Sequence, residues 1–357
     1  MEKAGGPCHA ICTACVAWAA SPPTGDEKEN EDKRMDASLK EKKIAVVGVG
    51  GVGGYLAGML AKSFPHVTVA AHGKRGGQLM RKGIVLHSDY HGEIRVKPQK
   101  VVIDASLLGE QEIIFVCVKN YSLEEACLEL KDAVSENTIL VPVMNGVNKA
   151  DVMRGLVGKG TVVDAVIYII AYMNPDGSVR QMGDLANLLI GMENPSFEDR
   201  EKVREVEEIL ASAGIDSRIS DDIRRDVWGK YILNCAYNVE TAAYDNTIGA
   251  LRKDPDKAKE YEALVNEAYN VSLAEGVDTD PEFPGEVIAR FYNDYPDGAT
   301  SSLQRDFEAG KRSELDVFSA FLVREGNRLG VPVPVSEKMY RLLLRKEQER
   351  RKAAGNM

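Results

Sequence analysis

The stretch Ile44-Ala-Val-Val-Gly48-Val-Gly50-Gly-Val-Gly53-Gly-Tyr55-Leu-Ala-Gly-Met-Leu-Ala-Lys-Ser63 decides the fold. Ile44 to Val47 is a short run rich in β-branched residues, Gly48 to Gly54 is a turn, and Tyr55 to Ser63 has helical character. Val67 to Ala71 then reads as a second strand, so the pieces form a βαβ unit. Gly48-Val49-Gly50-Gly51-Val52-Gly53 matches G-x-G-x-x-G in the strand, turn and helix context that the pattern requires. The first glycine permits the tight bend, the second lets backbone approach a diphosphate, and the third lets helix and strand pack closely. The N–H groups and dipole at a helix start favour the negative charge. A glycine turn without ligand is the plain alternative, yet five glycines within Gly48 to Gly54 begin a helix poorly unless something must come close.

Where an NAD enzyme places an acid on the ribose, after the second strand, this chain has Ala70-Ala-His-Gly-Lys-Arg75. With two fixed positive charges and no carboxylate there, NADP (NADPH) is the expected cofactor; His72, Lys74 and Arg75 all stand as candidates for the 2′-phosphate, and a solvated basic turn is the competing reading. Further strands are expected at Gly83 to His87, Glu93 to Val96, Ile113 to Val118 and Thr138 to Val143, with a helix over Leu123 to Val134. Val162 to Tyr172, Asn187 to Ile190 and a helix over Glu201 to Ser212 extend the sheet. After Asp221 only helical patterns follow: Asp222 to Ala243, Asp256 to Glu275, Pro284 to Tyr292, Leu303 to Leu329 and Ser336 to Arg351. The expected class is α/β: a Rossmann-type parallel-sheet dinucleotide-binding domain over 43–220, then an all-helical substrate and catalytic domain over 221–351.

Residues 1–42 differ from the rest. Ser21 to Lys43 is dense in Pro, Asp, Glu and Lys without periodicity, which predicts a disordered tail. Cys8-x3-Cys12-x2-Cys15 is open to three readings: an iron–sulfur triad, a secretory or transit segment, or an extension without function; Met35 is a candidate start. The 357 residues carry 45 Lys plus Arg against 55 Asp plus Glu, a net charge of −10, which disfavours nucleic acid and anionic membrane as partners. No apolar run is long enough to span a bilayer. The longest candidate, Val162 to Tyr172, contains Asp164 and reads as a buried strand. Six unevenly spaced cysteines make no disulfide framework, and a reducing, cytoplasmic setting is expected. No metal is expected; a small-molecule ligand and a possible homodimer are.

The proton chemistry must avoid imidazole, since all five histidines precede residue 92. None of the 13 tyrosines has Lys four residues on, which excludes short-chain dehydrogenase chemistry. Trp228-Gly-Lys230-Tyr-Ile-Leu-Asn234-Cys-Ala-Tyr-Asn238 offers a lysine instead. Lys230, Asn234 and Asn238 are spaced i, i+4, i+8 and share one helix face. Such polar groups in a mostly apolar helix are costly unless they bind something polar or serve as satisfied structural amides.

Together these residues resemble the ketopantoate reductase (2-dehydropantoate 2-reductase) family over Lys43 to about Glu347. The resemblance is carried by the glycine motif, Val118-Lys119, Asn145-Gly146, Lys230-x3-Asn234-x3-Asn238, Ser301-Ser302-Leu-Gln-Arg-Asp306-x3-Gly310-Lys-Arg-Ser-Glu314-Leu-Asp316 and Gly330-Val-Pro332. It implies that Lys230 donates the proton, that Asn234, Asn238 and Ser302 hold the substrate, that Lys119 and Glu314 meet the cofactor beside the glycine turn, and that Asn145 lies between the two ligands. It also implies NADPH-dependent reduction of 2-dehydropantoate to pantoate, towards pantothenate and coenzyme A. Ser301 with Gln304 reads as a capping box, so either serine could serve only as a cap. Two positions depart from the family: Ile248, where a further substrate amide is common, and Arg305, where a neutral residue is usual. Reduction of another branched 2-oxo acid, and a non-enzymatic NADPH-binding redox sensor, are the alternatives.

Overall fold

The structure, a computed structural model, describes residues 37–355. The cysteine motif and most of the expected tail lie outside the described residues. Order begins before residue 43, contrary to the expected boundary: Ala37–Lys40 is a helical turn, Leu39 packs into the core, and Lys42 bridges Glu112 and Glu205 at 3.0 and 2.7 Å. The chain divides between Val227 and Trp228 into two compact units.

The first unit contains β1 (Ile44–Val47), α1 (Gly51–Ser63), β2 (Val67–Ala70), α2 (Gly73–Lys82), β3 (Ile84–Ser88), β4 (Gly92–Val96), β5 (Lys100–Val102), β6 (Ile113–Val116), α3 (Leu123–Glu129), β7 (Ile139–Pro142), α4 (Lys149–Val157), β8 (Thr161–Val162), β9 (Asp164–Met173), β10 (Val179–Gly191), α5 (Phe197–Ser212) and β11 (Asp216–Ile219). A six-stranded sheet runs in the order β5-β2-β1-β6-β7-β8, with every pair parallel. Strands β1, β2, β6 and β7 are buried at all four positions, as a sheet covered on both faces requires.

The later strands do not extend that sheet as expected. They form a second, five-stranded mixed sheet in the order β11-β10-β3-β4, with β9 paired antiparallel to β10. The run Val162 to Tyr172 is accordingly two strands, β8 in the parallel sheet and β9 in the mixed one. Helix α1 packs against strands of both sheets, and Tyr55, Leu56 and Leu60 have no exposed surface. Burial on both sides explains why α1 shows no polar face. It also begins at Gly51, inside the stretch expected to be all turn.

The second unit continues α6 (Ile223–Tyr244) and adds α7 (Ile248–Lys253), α8 (Pro255–Ala274), α9 (Phe283–Asn293), α10 (Ser302–Glu308), α11 (Phe321–Leu329) and α12 (Pro334–Gly355). Its described residues from Trp228 onward contain no strand, so the α/β class followed by an all-helical part is the observed one. Stacked Tyr261 and Phe291 rings, 4.0 Å apart, lie in its interior. The glutamate Glu267 accepts hydrogen bonds from the amides of Val335 and Ser336 and from the Ser336 hydroxyl, satisfying donors at the start of α12. The expected single helix over Leu303 to Leu329 is broken: α10 ends where Gly310 takes φ +63, a conformation that favours glycine, and a π-helical turn at Asp316–Ala320 precedes α11.

Candidate active site

The glycine turn lies at the carboxyl end of β1. Gly48 takes φ +86, and a Cβ there would come within 2.9 Å of the Cys117 carbonyl. A Cβ on Gly53 would meet the Gly48 oxygen at 1.9 Å, so helix and turn can close only around glycine. Gly51 and Gly54 have a different reason: their Cβ atoms would stand 2.4 Å from the Ala171 carbonyl oxygen on β9 and 2.4 Å from Val179 on β10. Gly50 alone in this stretch has open space where a Cβ would project. An open cradle at the helix start suits a diphosphate, whose oxygens would take the free N–H groups. Val49 and Val52 flank it, one buried and one partly buried.

Of the three basic candidates, Arg75 is the engaged one. Its Nε donates to the Val49 carbonyl at 2.8 Å and Nη1 to the Gly177 carbonyl at 2.5 Å, while Nη2 is buried without a hydrogen-bond partner. Partial burial lowers its pKa from the ordinary arginine value. Lys74 is exposed, and His72 lies on the surface with Nε2 3.4 Å from Glu129. Lys119 caps a 3-10 turn just past β6, and Asn145 follows β7 in the same unit. The neighbouring Asn120 side chain donates to the Asn145 carbonyl at 3.3 Å. Carboxyl ends of parallel strands are where open α/β sheets bind ligands.

In the second unit, α6 carries Lys230, Asn234 and Asn238 on consecutive turns of one face. Asn234 and Asn238 are buried and Lys230 is partly exposed. The Leu303 N–H donates to Asn238 Oδ1 at 3.3 Å. A backbone N–H can only donate, so this contact fixes which way the amide points. Ser302, whose Oγ lies 3.0 Å from the same oxygen, must donate as well, and Asn238 Nδ2 donates to Asn234 Oδ1 at 3.0 Å. The chain therefore has a direction: it leaves Asn234 with N–H donors and Ser302 with oxygen lone pairs.

The two serines separate. Ser301 Oγ accepts the Gln304 amide at 3.0 Å and the Thr241 hydroxyl at 2.7 Å, so it is the cap. The reciprocal half of the expected capping box is missing, since Gln304 Oε1 has no partner. Glu314 does not lie within a long helix as expected; it is buried at the end of the break, two residues before the π-helical turn. The far side of α6 fixes that turn, because the Tyr231 hydroxyl donates to the Val317 carbonyl at 2.8 Å and the Cys235 thiol to the Phe318 carbonyl at 3.4 Å. Ile248 has no exposed surface and Arg305 is exposed, donating to Thr300.

Sequence reasoning missed one buried pair. Lys149, at the start of α4, has its ammonium 2.7 Å from Asp164 and is 1% exposed. The signal was a single carboxylate inside the apolar run Val162 to Tyr172.

A parallel sheet with a glycine turn at its first crossover is the Rossmann-type architecture, and joined to a helical unit bearing this polar helix it is that of an oxidoreductase. The chain belongs to the ketopantoate reductase (PanE/ApbA) family, which matches residues 44–194 and, through its C-terminal part, residues 222–347. It is 28% identical over 308 residues to the uncharacterized oxidoreductase YkpB of Bacillus subtilis, covering 86% of this chain and 100% of that one. It is 26% identical over 331 residues to the 2-dehydropantoate 2-reductase of Mesorhizobium japonicum, covering 86% and 98%. Among solved structures, a PanE/ApbA family ketopantoate reductase from Ralstonia eutropha JMP134 superposes with a TM-score of 0.78 at 30% identity, covering 86% of this chain and 99% of that chain.

Proposed function

We propose that this oxidoreductase reduces ketopantoate to pantoate with NADPH, in pantothenate and coenzyme A biosynthesis. The observation that carries the reading is the directed chain Ser302, Asn238, Asn234 beside Lys230. A donor pair at Asn234 suits a carboxylate or oxo oxygen. Ser302, with its proton committed to Asn238, suits a group that donates, such as a substrate hydroxyl.

Bound NADPH would supply the hydride. As hydride reaches the oxo carbon, Lys230 would stabilise the negative charge developing on the oxo oxygen and give that oxygen a proton. The open space at Gly50 and the buried, unpartnered Nη2 of Arg75 fit a dinucleotide carrying an extra phosphate. Lys119, Asn145 and Glu314 complete the assignment, the first and last at the cofactor and Asn145 between cofactor and substrate. The domain roles follow: cofactor on the sheet unit, substrate and proton donor on the helical unit. A cytoplasmic homodimer is part of the same reading; no helix among the described residues is long and apolar enough to cross a membrane.

The test compares ketopantoate with 3,3-dimethyl-2-oxobutanoate, which has a methyl group in place of the hydroxymethyl group and so lacks only the hydroxyl. A site that hydrogen-bonds a hydroxyl rejects the analogue, so kcat/KM should fall about a hundredfold or more. Equal rates would mean a more apolar branched 2-oxo acid is the substrate, and no NADPH oxidation with either would leave a binding protein.

A further inference from the structure

Lys149 occupies a place where a cation is opposed twice, by burial and by the positive end of helix α4, whose first residue it is. Its ammonium meets Asp164 Oδ1 at 2.7 Å and donates to the Gly146 carbonyl at 3.3 Å. Asp164 is held in turn, its Oδ1 accepting the Ala165 amide at 2.7 Å. Buried ion pairs are weak sources of net stability compared with apolar packing, so stability alone explains this arrangement poorly.

What the pair touches supplies a better reason. The Asn145 carbonyl is held from one side by Asn120, and the next carbonyl, that of Gly146, is held from the other by Lys149. Two successive peptides of the turn after β7 are thereby tied, one to the segment after β6 and one to the start of β9. The first of those peptides leaves the Asn145 Cα itself, so tying both limits how the Asn145 side chain can be re-aimed.

We infer that Lys149, anchored by Asp164, is a positioning residue that fixes the Asn145–Gly146 turn for the reaction; this rests on the proposed role of Asn145 and extends it. Lys149 touches neither substrate nor cofactor in this account. It acts through the turn, and misplacing a catalytic-site group by an ångström can slow turnover about a hundredfold.

The test separates position from stability in the full-length protein. Lys149→Met strands a buried carboxylate and should lower both Tm and kcat. Lys149→Met/Asp164→Asn removes the stranded charge while keeping an acceptor for Ala165. In it Tm should return to near the wild-type value, while kcat for NADPH oxidation with ketopantoate stays down about tenfold or more and KM for NADPH changes less. Amide hydrogen exchange over residues 143–148 should speed up in the double variant, a readout that needs no substrate. In an Asn145→Ala background the double variant should cost little further activity, because both act through the same turn. Recovery of kcat together with Tm, or unchanged exchange over the turn, overturns the inference. Normal turnover by Asn145→Ala alone overturns the underlying reading of Asn145, and the inference falls with it.

Discussion

Helix α1 begins Gly51-Val-Gly-Gly and is enclosed by two sheets, whereas α6 runs for 22 residues with Lys230, Asn234 and Asn238 along one face. At the start of α1 each missing side chain has a specific neighbour, the turn itself at Gly53, β9 at Gly51 and β10 at Gly54, while Gly50 just before the helix faces open space. In α6 the two buried asparagines, Asn234 and Asn238, have specific partners and a fixed direction of donation. A polyanion can be held by backbone amides that any sequence supplies, provided side chains stay out of the way. A small asymmetric acid must be told apart from its analogues, which needs side chains whose donors and acceptors are already oriented.

The largest expected effect falls on α6. Lys230→Ala should lower kcat by about 10²–10⁴, the range for a lost general acid, with NADPH still saturating in a fluorescence titration. Unchanged kcat would move the proton donor off this helix and break the comparison.

Glu240, also on α6, contrasts with the two asparagines, because it is buried without a partner. It has no exposed surface and neither carboxylate oxygen has a hydrogen-bond partner. Burial first, then Glu260 and Asp254, push its pKa up to about 9, with Lys257 and Lys338 opposing. The folded protein therefore keeps a proton that the unfolded chain releases above the ordinary glutamate range. Its contribution is fully present below about pH 4.5 and is lost as pH rises towards about 9. Glu240→Gln should flatten this slope and raise stability at pH 8 by on the order of a few kcal/mol, seen as Tm against pH. Parallel wild-type and variant profiles would show that Glu240 is charged in the fold.

At the start of α1 two neighbouring glycines should part company. Gly51→Ala drives a Cβ into the Ala171 carbonyl and should cost about 1–3 kcal/mol by denaturant titration. Gly50→Ala meets no protein atom; its stability should change by less than about 0.5 kcal/mol while NADPH affinity drops about tenfold. Loss of stability in both would mean that the space at Gly50 serves folding rather than a ligand.

The last of the four effects concerns Arg75, read as a ratio between two cofactors. NADPH should be preferred over NADH by about tenfold or more, from a charge-assisted contact of roughly 1.5–3 kcal/mol. Arg75→Met should reduce that preference, whereas Lys74→Met, altering an exposed side chain, should leave it nearly intact. A preference that survives loss of Arg75 would return Lys74 and His72 to consideration.

The sequence by itself determined the βαβ unit, the glycine turn, the change to helices after Asp221 and the face shared by Lys230, Asn234 and Asn238. All of these depend on short-range spacing: alternation, glycine context and the helical repeat. It could not separate one sheet from two, because β8 and β9 are contiguous and equally apolar, and strand pairing is a long-range property. The break after α10 was hidden for a related reason, since the π-helical turn is held by Tyr231 and Cys235, more than 80 residues away in sequence. Only the tertiary structure decided that Ser301 caps while Ser302 donates, that Arg75 rather than Lys74 is held at the turn, and that Lys149 meets Asp164. The direction of a hydrogen bond or the partner of a buried charge depends on atoms brought together from distant positions, and no local pattern encodes which atoms those will be.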